Sequence, residues 1–260
     1  MPINSCTVYR LRGLVGAILD IASKLPAGRS LWFRGLSKAQ HTLLPKLMRD
    51  GKGADEVFER ERRLLTRFRQ RSLAYWPAGY PQNDWEHLFA MQHYGMPTRL
   101  LDWSENLFVA AHFAMANPSK DDTCLPAVWC VDPVAWNRAT PSLSELGDFV
   151  HVLTTADDEA ESYRPESTKR KVKSPVALFG THNSQRIVAQ RGTFMIWGND
   201  PRPLETFASE GSGILWKIEI AGGRNNLAEE LAQLGFGETM VFPELPSLAG
   251  ELSRSEGWRS

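Results

Sequence analysis

Gln92-His93-Tyr94-Gly95-Met96-Pro97-Thr98-Arg99-Leu100-Leu101-Asp102-Trp103-Ser104 is the stretch on which the reading of this chain turns. Arg99-Leu100-Leu101-Asp102-Trp103 is too short for a helix and reads as a strand. Gly95-Met96-Pro97 predicts a tight turn into that strand. Ser104 predicts the N-cap of a helix over 105–117, where Leu107, Phe108, Ala111, Phe113 and Ala114 make much of the surface apolar. A turn, a strand and a buried helix therefore follow in quick succession. His93, Tyr94, Arg99 and Trp103 are not needed for capping, which makes the same stretch a candidate site.

Working outward, Leu31-Trp32-Phe33-Arg34-Gly35 predicts a short buried strand ending on a glycine. Residues 6–25 predict an amphipathic helix, with Leu11, Leu14, Val15, Ile18 and Leu19 at helical spacing and Pro26 and Gly28 ending it. Residues 54–74 predict a long helix with Val57, Leu64, Leu65 and Phe68 on one side. Residues 84–94 predict another, with Asp84 as its N-cap. Ala127-Val128-Trp129-Cys130-Val131 is a strong strand signal closed by Asp132-Pro133, and further strands are expected at 176–179, 193–197 and 214–220, with a helix near 226–234. Residues 140–175 are less regular. There Asp157-Asp158-Glu159-Ala160-Glu161 precedes Lys169-Arg170-Lys171-Val172-Lys173, which predicts a mobile, internally neutralised loop. Helices first and strands mostly later argue for an α+β fold, with a helical N-terminal part packed on a mixed sheet. No repeat and no long linker divides the chain, so one domain over 1–260 is expected.

Thirty basic and thirty acidic side chains give zero net charge, which disfavours polyanion binding by the molecule as a whole. Three cysteines, none in a C-x-x-C pair, fit a reduced compartment. The start, Met1-Pro2-Ile3-Asn4-Ser5-Cys6, lacks a basic region followed by an apolar run, and the Leu107–Ala116 stretch is about half the ~20 residues a membrane span needs. A cytoplasmic protein with no membrane partner is the expectation. Nine tryptophans suit a well-packed core, or a cleft that stacks planar rings. Glycine-rich dinucleotide and P-loop motifs, the G-x-S-x-G elbow and the H-E-x-x-H helix are absent. His87 and His93 fall on different faces of a helix, so no metal site is expected.

Four constellations can carry chemistry. Arg34 sits in an apolar strand, where it must pair with a carboxylate such as Asp102 or face a ligand phosphate. The second is Tyr94 to Asn106, where Asp102-Trp103-Ser104 lies at a strand-to-helix junction that either caps the helix or presents N–H groups to an anion. The third is Ser184-Gln185-Arg186-Ile187-Val188-Ala189-Gln190-Arg191-Gly192-Thr193-Phe194, in which Gln190 either presents an amide to a cleft or precedes a helix end with Gly192 left-handed. The fourth is Val241-Phe242-Pro243-Glu244-Leu245. In addition Arg60, Arg62, Arg63, Arg67, Arg69 and Arg71 crowd one helix, as either a solvated face or a track for a phosphate backbone.

Trp32-Phe33-Arg34-Gly35 and the Gln92–Ser104 stretch resemble the FRG domain family, which takes its name from the Phe-Arg-Gly triplet; the Gln-x-Gly-x-Phe and Phe-Pro-Glu stretches match its later motifs, so the resemblance runs from about residue 32 to 245. The family resembles, at a distance, the ADP-ribosyltransferase fold, which implies a split mixed sheet with NAD as co-substrate in a central cleft. It implies Arg34 on the first strand, Thr98 or Ser104 with Trp103 on the next, and Gln190, Glu219 or Glu244 at the position of a later glutamate, Gln190 being the nearest in order. No Gln/Glu-x-Glu follows residue 176. Arg34, Gln190 and Glu244 are thus the candidate catalytic residues; Tyr94, Thr98, Arg99, Asp102, Trp103 and Ser104 are the candidate ligand contacts. The implied function is an ADP-ribosyltransferase-like effector that modifies a protein or nucleic acid, of the kind found in toxin and phage-defence systems. The alternative is a non-catalytic sensor of a nucleotide or RNA.

Overall fold

The computed structural model describes residues 4–76, 79–115, 124–168, 174–181, 184–208 and 213–258. In chain order the elements are β1 Asn4–Val8, α1 Leu11–Ala22, β2 Trp32–Leu36, α2 Ala54–Ser72, α3 Asp84–His93, β3 Leu100–Ser104, α4 Leu107–Met115, β4 Ala127–Val131 and α5 Pro133–Ala139. There follow β5 Val176–Leu178, α6 Gln185–Ala189, β6 Gly192–Ile196, β7 Leu215–Ile220, α7 Arg224–Gln233, α8 Glu238–Val241 and α9 Leu245–Ser255. The strands form one mixed sheet in the order β1-β7-β4-β2-β3-β6-β5, in which β1 and β7 are parallel and the other pairs antiparallel.

Strand alternation sends successive side chains to opposite faces. One face buries Trp32, Leu101, Trp103, Trp129, Val131, Met195 and Trp197. On the other, Phe33, Val128, Cys130, Ile218 and Ile220 pack with the apolar stripes of α1, α4 and α7. A third cluster joins Leu100, Leu178, Phe194 and Ile196 to Trp85, Leu88 and Phe89 of α3. Each such side chain contributes about 2 kcal/mol on burial. Most tryptophans are therefore core, as composition suggests, while Trp258 is exposed.

The sheet is nearly cut in two. β2 pairs with β4 over five positions, but with β3 only through Phe33 opposite Ser104. Gly35 belongs to this divergence, because a Cβ there would lie 1.8 Å from the Ala110 carbonyl oxygen. Only a residue without a side chain lets β2 approach the α4 backbone so closely.

Several sequence expectations shift. Residues 6–8 are strand, not helix, because Asn4–Val8 pairs with β7; the helix begins at Leu11. The N-terminal part is therefore not wholly helical. Asn83, not Asp84, caps α3 by accepting from the Glu86 N–H, and Asp84 is buried against Arg164 at 2.6 Å. Ser104 ends β3, and Asn106 caps α4 by accepting from the Phe108 N–H; residues 116–117 of the expected helix lie outside the described residues. The left-handed residue before β6 is Arg191, with φ 45°, not Gly192. The acidic run is not a loose loop: residues 158–163 form a 3₁₀ turn that buries Ala160 and Tyr163. Asp157 accepts from the Thr154 backbone N–H there, while the basic run at 169–173 lies outside the described residues. No described helix is long and apolar enough to cross a membrane.

Candidate functional site

A cleft of about 650 Å³ opens where β2 and β3 part. Its walls come from both faces of the sheet and from α4 and α6. Arg34, Arg49, Arg186, His41 and His93 supply positive or protonatable groups, and Asp102 is the acidic residue among the lining. Phe33, Phe89, Trp103, Phe113 and Phe194 supply the apolar surface. The lining is about half polar and half apolar, so it can meet both the charged groups and the flat apolar surface of a small ligand.

Arg34 is placed by the β2 ladder, opposite Trp129. Its Nη1 donates to the backbone carbonyl of Asp102, and its Nε is buried without a partner among the described residues. Burial pushes the guanidinium below its ordinary pKa; the Asp102 charge opposes this and Arg49 adds to it. Trp103 Nε1 and Thr193 Oγ1, opposite one another across β3 and β6, are likewise buried and unpartnered among the described residues. Unpaired buried polar atoms are costly, and three of the seven such side-chain atoms among the described residues belong to residues of this cleft.

Asp102 is held by a short relay. The Leu100 N–H donates to Thr98 Oγ1 at 3.1 Å, so the Thr98 hydroxyl proton turns outward and is donated to Gln92 Oε1. That fixes the Gln92 amide, whose Nε2 donates to both Asp102 carboxylate oxygens at 3.0 and 2.9 Å. Thr98, fully buried and outside the cleft lining, therefore acts through Gln92. His93 is half-buried, and burial together with Arg186 holds its pKa below the ordinary histidine value against the pull of Glu244 and Asp102. Arg186 stacks on Phe242 at 4.7 Å, which joins the α6 wall to the segment after α8.

Five of the nine sequence candidates line the cleft: Arg34, Asp102, Trp103, Ser104 and Gln190. The Ser104 hydroxyl is occupied, donating to the Gln190 carbonyl at 2.6 Å and accepting from the Asn106 N–H. The Gln190 side chain donates to the Val241 carbonyl at 3.1 Å and so braces α8. Arg99 lies away from the cleft, fully buried, with Nε on Glu61 at 2.7 Å and Nη2 on the Tyr163 carbonyl at 2.7 Å. Tyr94 is exposed beyond the rim, and Glu244 is exposed at the start of α9. Arg49 and His41 are cleft residues that sequence patterning does not single out, since each lies in a segment with no motif of its own, whereas Thr193 belongs to the Ser184–Phe194 string. Arg186 is visible only as part of the Ser184–Phe194 string.

Residues 29–123 match the FRG domain family. Over those residues the chain is similar to the FRG domain. The FRG match contains Arg34 and the whole Gln92–Ser104 stretch, that is, both strands that border the divergence in the sheet. Arg186, Gln190 and Thr193 of the opposite wall, and Glu244, lie beyond its end at residue 123. No curated protein and no solved structure matches the chain.

Proposed function

We propose that the FRG cleft binds NAD or a related pyrophosphate nucleotide, and that the protein is an ADP-ribosyltransferase-like effector. The observation that carries this reading is the convergence of Arg34, Arg49 and Arg186 on a cleft with a single lining carboxylate among the described residues. Guanidinium forks suit phosphate oxygens. The divergence of a mixed sheet at the cleft is also what a split nucleotide-binding sheet requires.

On this reading the three arginines hold the pyrophosphate. Bound there, NAD supplies a ribosyl group whose bond to nicotinamide breaks as a nucleophile of the acceptor replaces it. Asp102, aimed by Gln92, is the carboxylate that steadies positive charge at the ribose, a role that the resemblance to the ADP-ribosyltransferase fold gives to Gln190 or Glu244. His93, kept neutral by its surroundings, takes the proton that the acceptor nucleophile gives up.

One observation favours the non-catalytic sensor as a second reading. The Gln190 side chain is bonded to Val241, Glu219 on β7 pairs with Lys217 and Glu244 stands outside the cleft, so among the described residues no glutamate lines it. Incubation with NAD labelled on its adenylate phosphate, with RNA, DNA and protein acceptors in separate tubes, decides between them. Transfer to one fraction, lost in Arg34→Ala, supports the transferase. Binding without transfer supports a sensor of NAD, and neither binding nor transfer refutes the transferase and leaves a sensor of another nucleotide or of RNA.

A further inference from the structure

The arginines of α2 fall into two groups. Arg60 is paired with Asp50, Arg62 with Glu59 and Arg69 with Glu166. Arg63, Arg67 and Arg71 are exposed, and among the described residues no acid pairs with them. They recur every four residues, so they form a row along one edge of the helix with a spacing of about 6 Å. Arg60 stands one turn before Arg63 on the same edge. Its partner Asp50 adjoins Arg49, which lines the cleft. The row therefore leads towards the cleft rim.

A run of rings connects the same two places. His93 of the cleft touches Tyr94 at 4.9 Å between centroids, Tyr94 touches Trp76 at 6.3 Å, and Trp76 touches Phe68 of α2 at 6.1 Å. Tyr94 is 64% exposed and Tyr75 is 83% exposed, so neither is a core residue. Lys46 Nζ donates to the Gly95 carbonyl at 2.9 Å and sets a further positive charge beside Tyr94. Unpaired arginines in a row with open aromatic faces beside them form the combination that holds a phosphate backbone and stacks its bases. The zero net charge of the chain makes this a local property of one edge.

We propose that the α2 edge and the Trp76–Tyr94 rings bind a single-stranded polynucleotide whose end reaches the cleft. Arg63, Arg67 and Arg71 take the phosphates, and Tyr75 and Tyr94 stack bases. A duplex is the poorer fit, because its bases are already stacked and paired. Use of the strand as acceptor rests on the transfer proposed above; binding of the strand does not need NAD.

The test is fluorescence anisotropy of a labelled single-stranded RNA, the matching single-stranded DNA and the duplex, without NAD, from about 50 to 200 mM salt. The proteins are the wild-type chain, the Arg63→Gln/Arg67→Gln/Arg71→Gln variant, Tyr94→Ala, and a charge-matched control, Arg12→Gln/Lys24→Gln/Arg62→Gln. The row variant is expected to bind at least about ten-fold more weakly, with a salt slope shallower by roughly 2 for three lost phosphate contacts. Tyr94→Ala is expected to weaken binding about ten-fold with the slope unchanged. The RNA and DNA arms identify the strand. No binding by the wild type, equal losses in the control, or a duplex bound as tightly as a single strand would overturn the proposal. A failure of NAD binding in the transfer assay would leave it standing.

Discussion

Arg34 meets Asp102 at its backbone carbonyl, while the Asp102 carboxylate takes both of its hydrogen bonds from Gln92. An ion pair that merely supported the fold would join the two side chains. Here the guanidinium is anchored to the chain and keeps the rest of its fork for the cleft. A double-mutant cycle of Arg34→Ala and Asp102→Asn, read by urea unfolding, is expected to give a coupling energy below about 1 kcal/mol. A coupling of about 3 kcal/mol would instead make the pair structural.

The arginine that does support the fold is Arg99. It is fully buried, bonded to Glu61 through both its backbone N–H and its Nε, and lies 4.5 Å from the Phe58 ring. Its remaining donors reach the Trp197 and Tyr163 carbonyls. Removing one partner would leave a buried charge uncompensated. Glu61→Gln and Arg99→Met are each expected to lower unfolding stability by about 3–5 kcal/mol in denaturant titrations. Whatever Arg99→Met remains folded should bind nucleotide like the wild type. Lost affinity in that folded fraction would place Arg99 in the site after all.

The contrast between Arg34 and Arg99 shows what local pattern can and cannot tell. Both sit at apolar strands next to a glycine or proline turn, and both read as site candidates. What separates them is Glu61, which lies far away in sequence on α2 and meets Arg99 only in the folded chain. The strands themselves were legible, since Ala127–Val131 and Leu215–Ile220 carry apolar and β-branched residues that suit no other element. The short N-terminal strand was not, because Asn4–Val8 is held by its parallel pairing with β7 and not by its own composition. The cleft was half legible: the Arg34 and Asp102–Ser104 border stands out in sequence. Arg49 and His41 join it only through the divergence of β2 from β3.

His112 on α4 gives a pH dependence. Burial holds its pKa below the ordinary histidine value, against an opposing pull from Glu238, and its ring packs on Phe242 and Phe113. The unfolded chain takes up this proton first, near pH 6.5. A depressed folded pKa therefore contributes stability that is present above about pH 6.5 and lost as pH falls through the folded value. His87 and His93 act with the same sign, and His151, whose pKa is raised, acts with the opposite one. His112→Gln removes one share of the acid loss. Urea unfolding of both proteins at about pH 8 and about pH 5 should show the wild type losing more stability than the variant. Equal losses would mean that the folded protein protonates His112 as readily as the unfolded chain does.

The cleft wall beyond the FRG match gives the sharpest test of the site. Arg49 and Arg186 line the cleft from opposite sides of the sheet divergence, whereas Glu244 lies outside it and influences His93 only through its charge. If the arginines hold phosphate, Arg49→Ala and Arg186→Ala should each weaken NAD binding about ten-fold or more, as expected for the loss of one charge-assisted contact. Arg186→Lys should recover little of this, since an ammonium cannot reproduce a planar fork or the stacking on Phe242. Glu244→Gln should leave affinity within about two-fold, as befits an exposed charge. Isothermal titration of the four proteins with NAD gives the comparison directly. Loss of binding in Glu244→Gln with Arg49→Ala unaffected would move the ligand out of the cleft and onto the surface between α3 and α9.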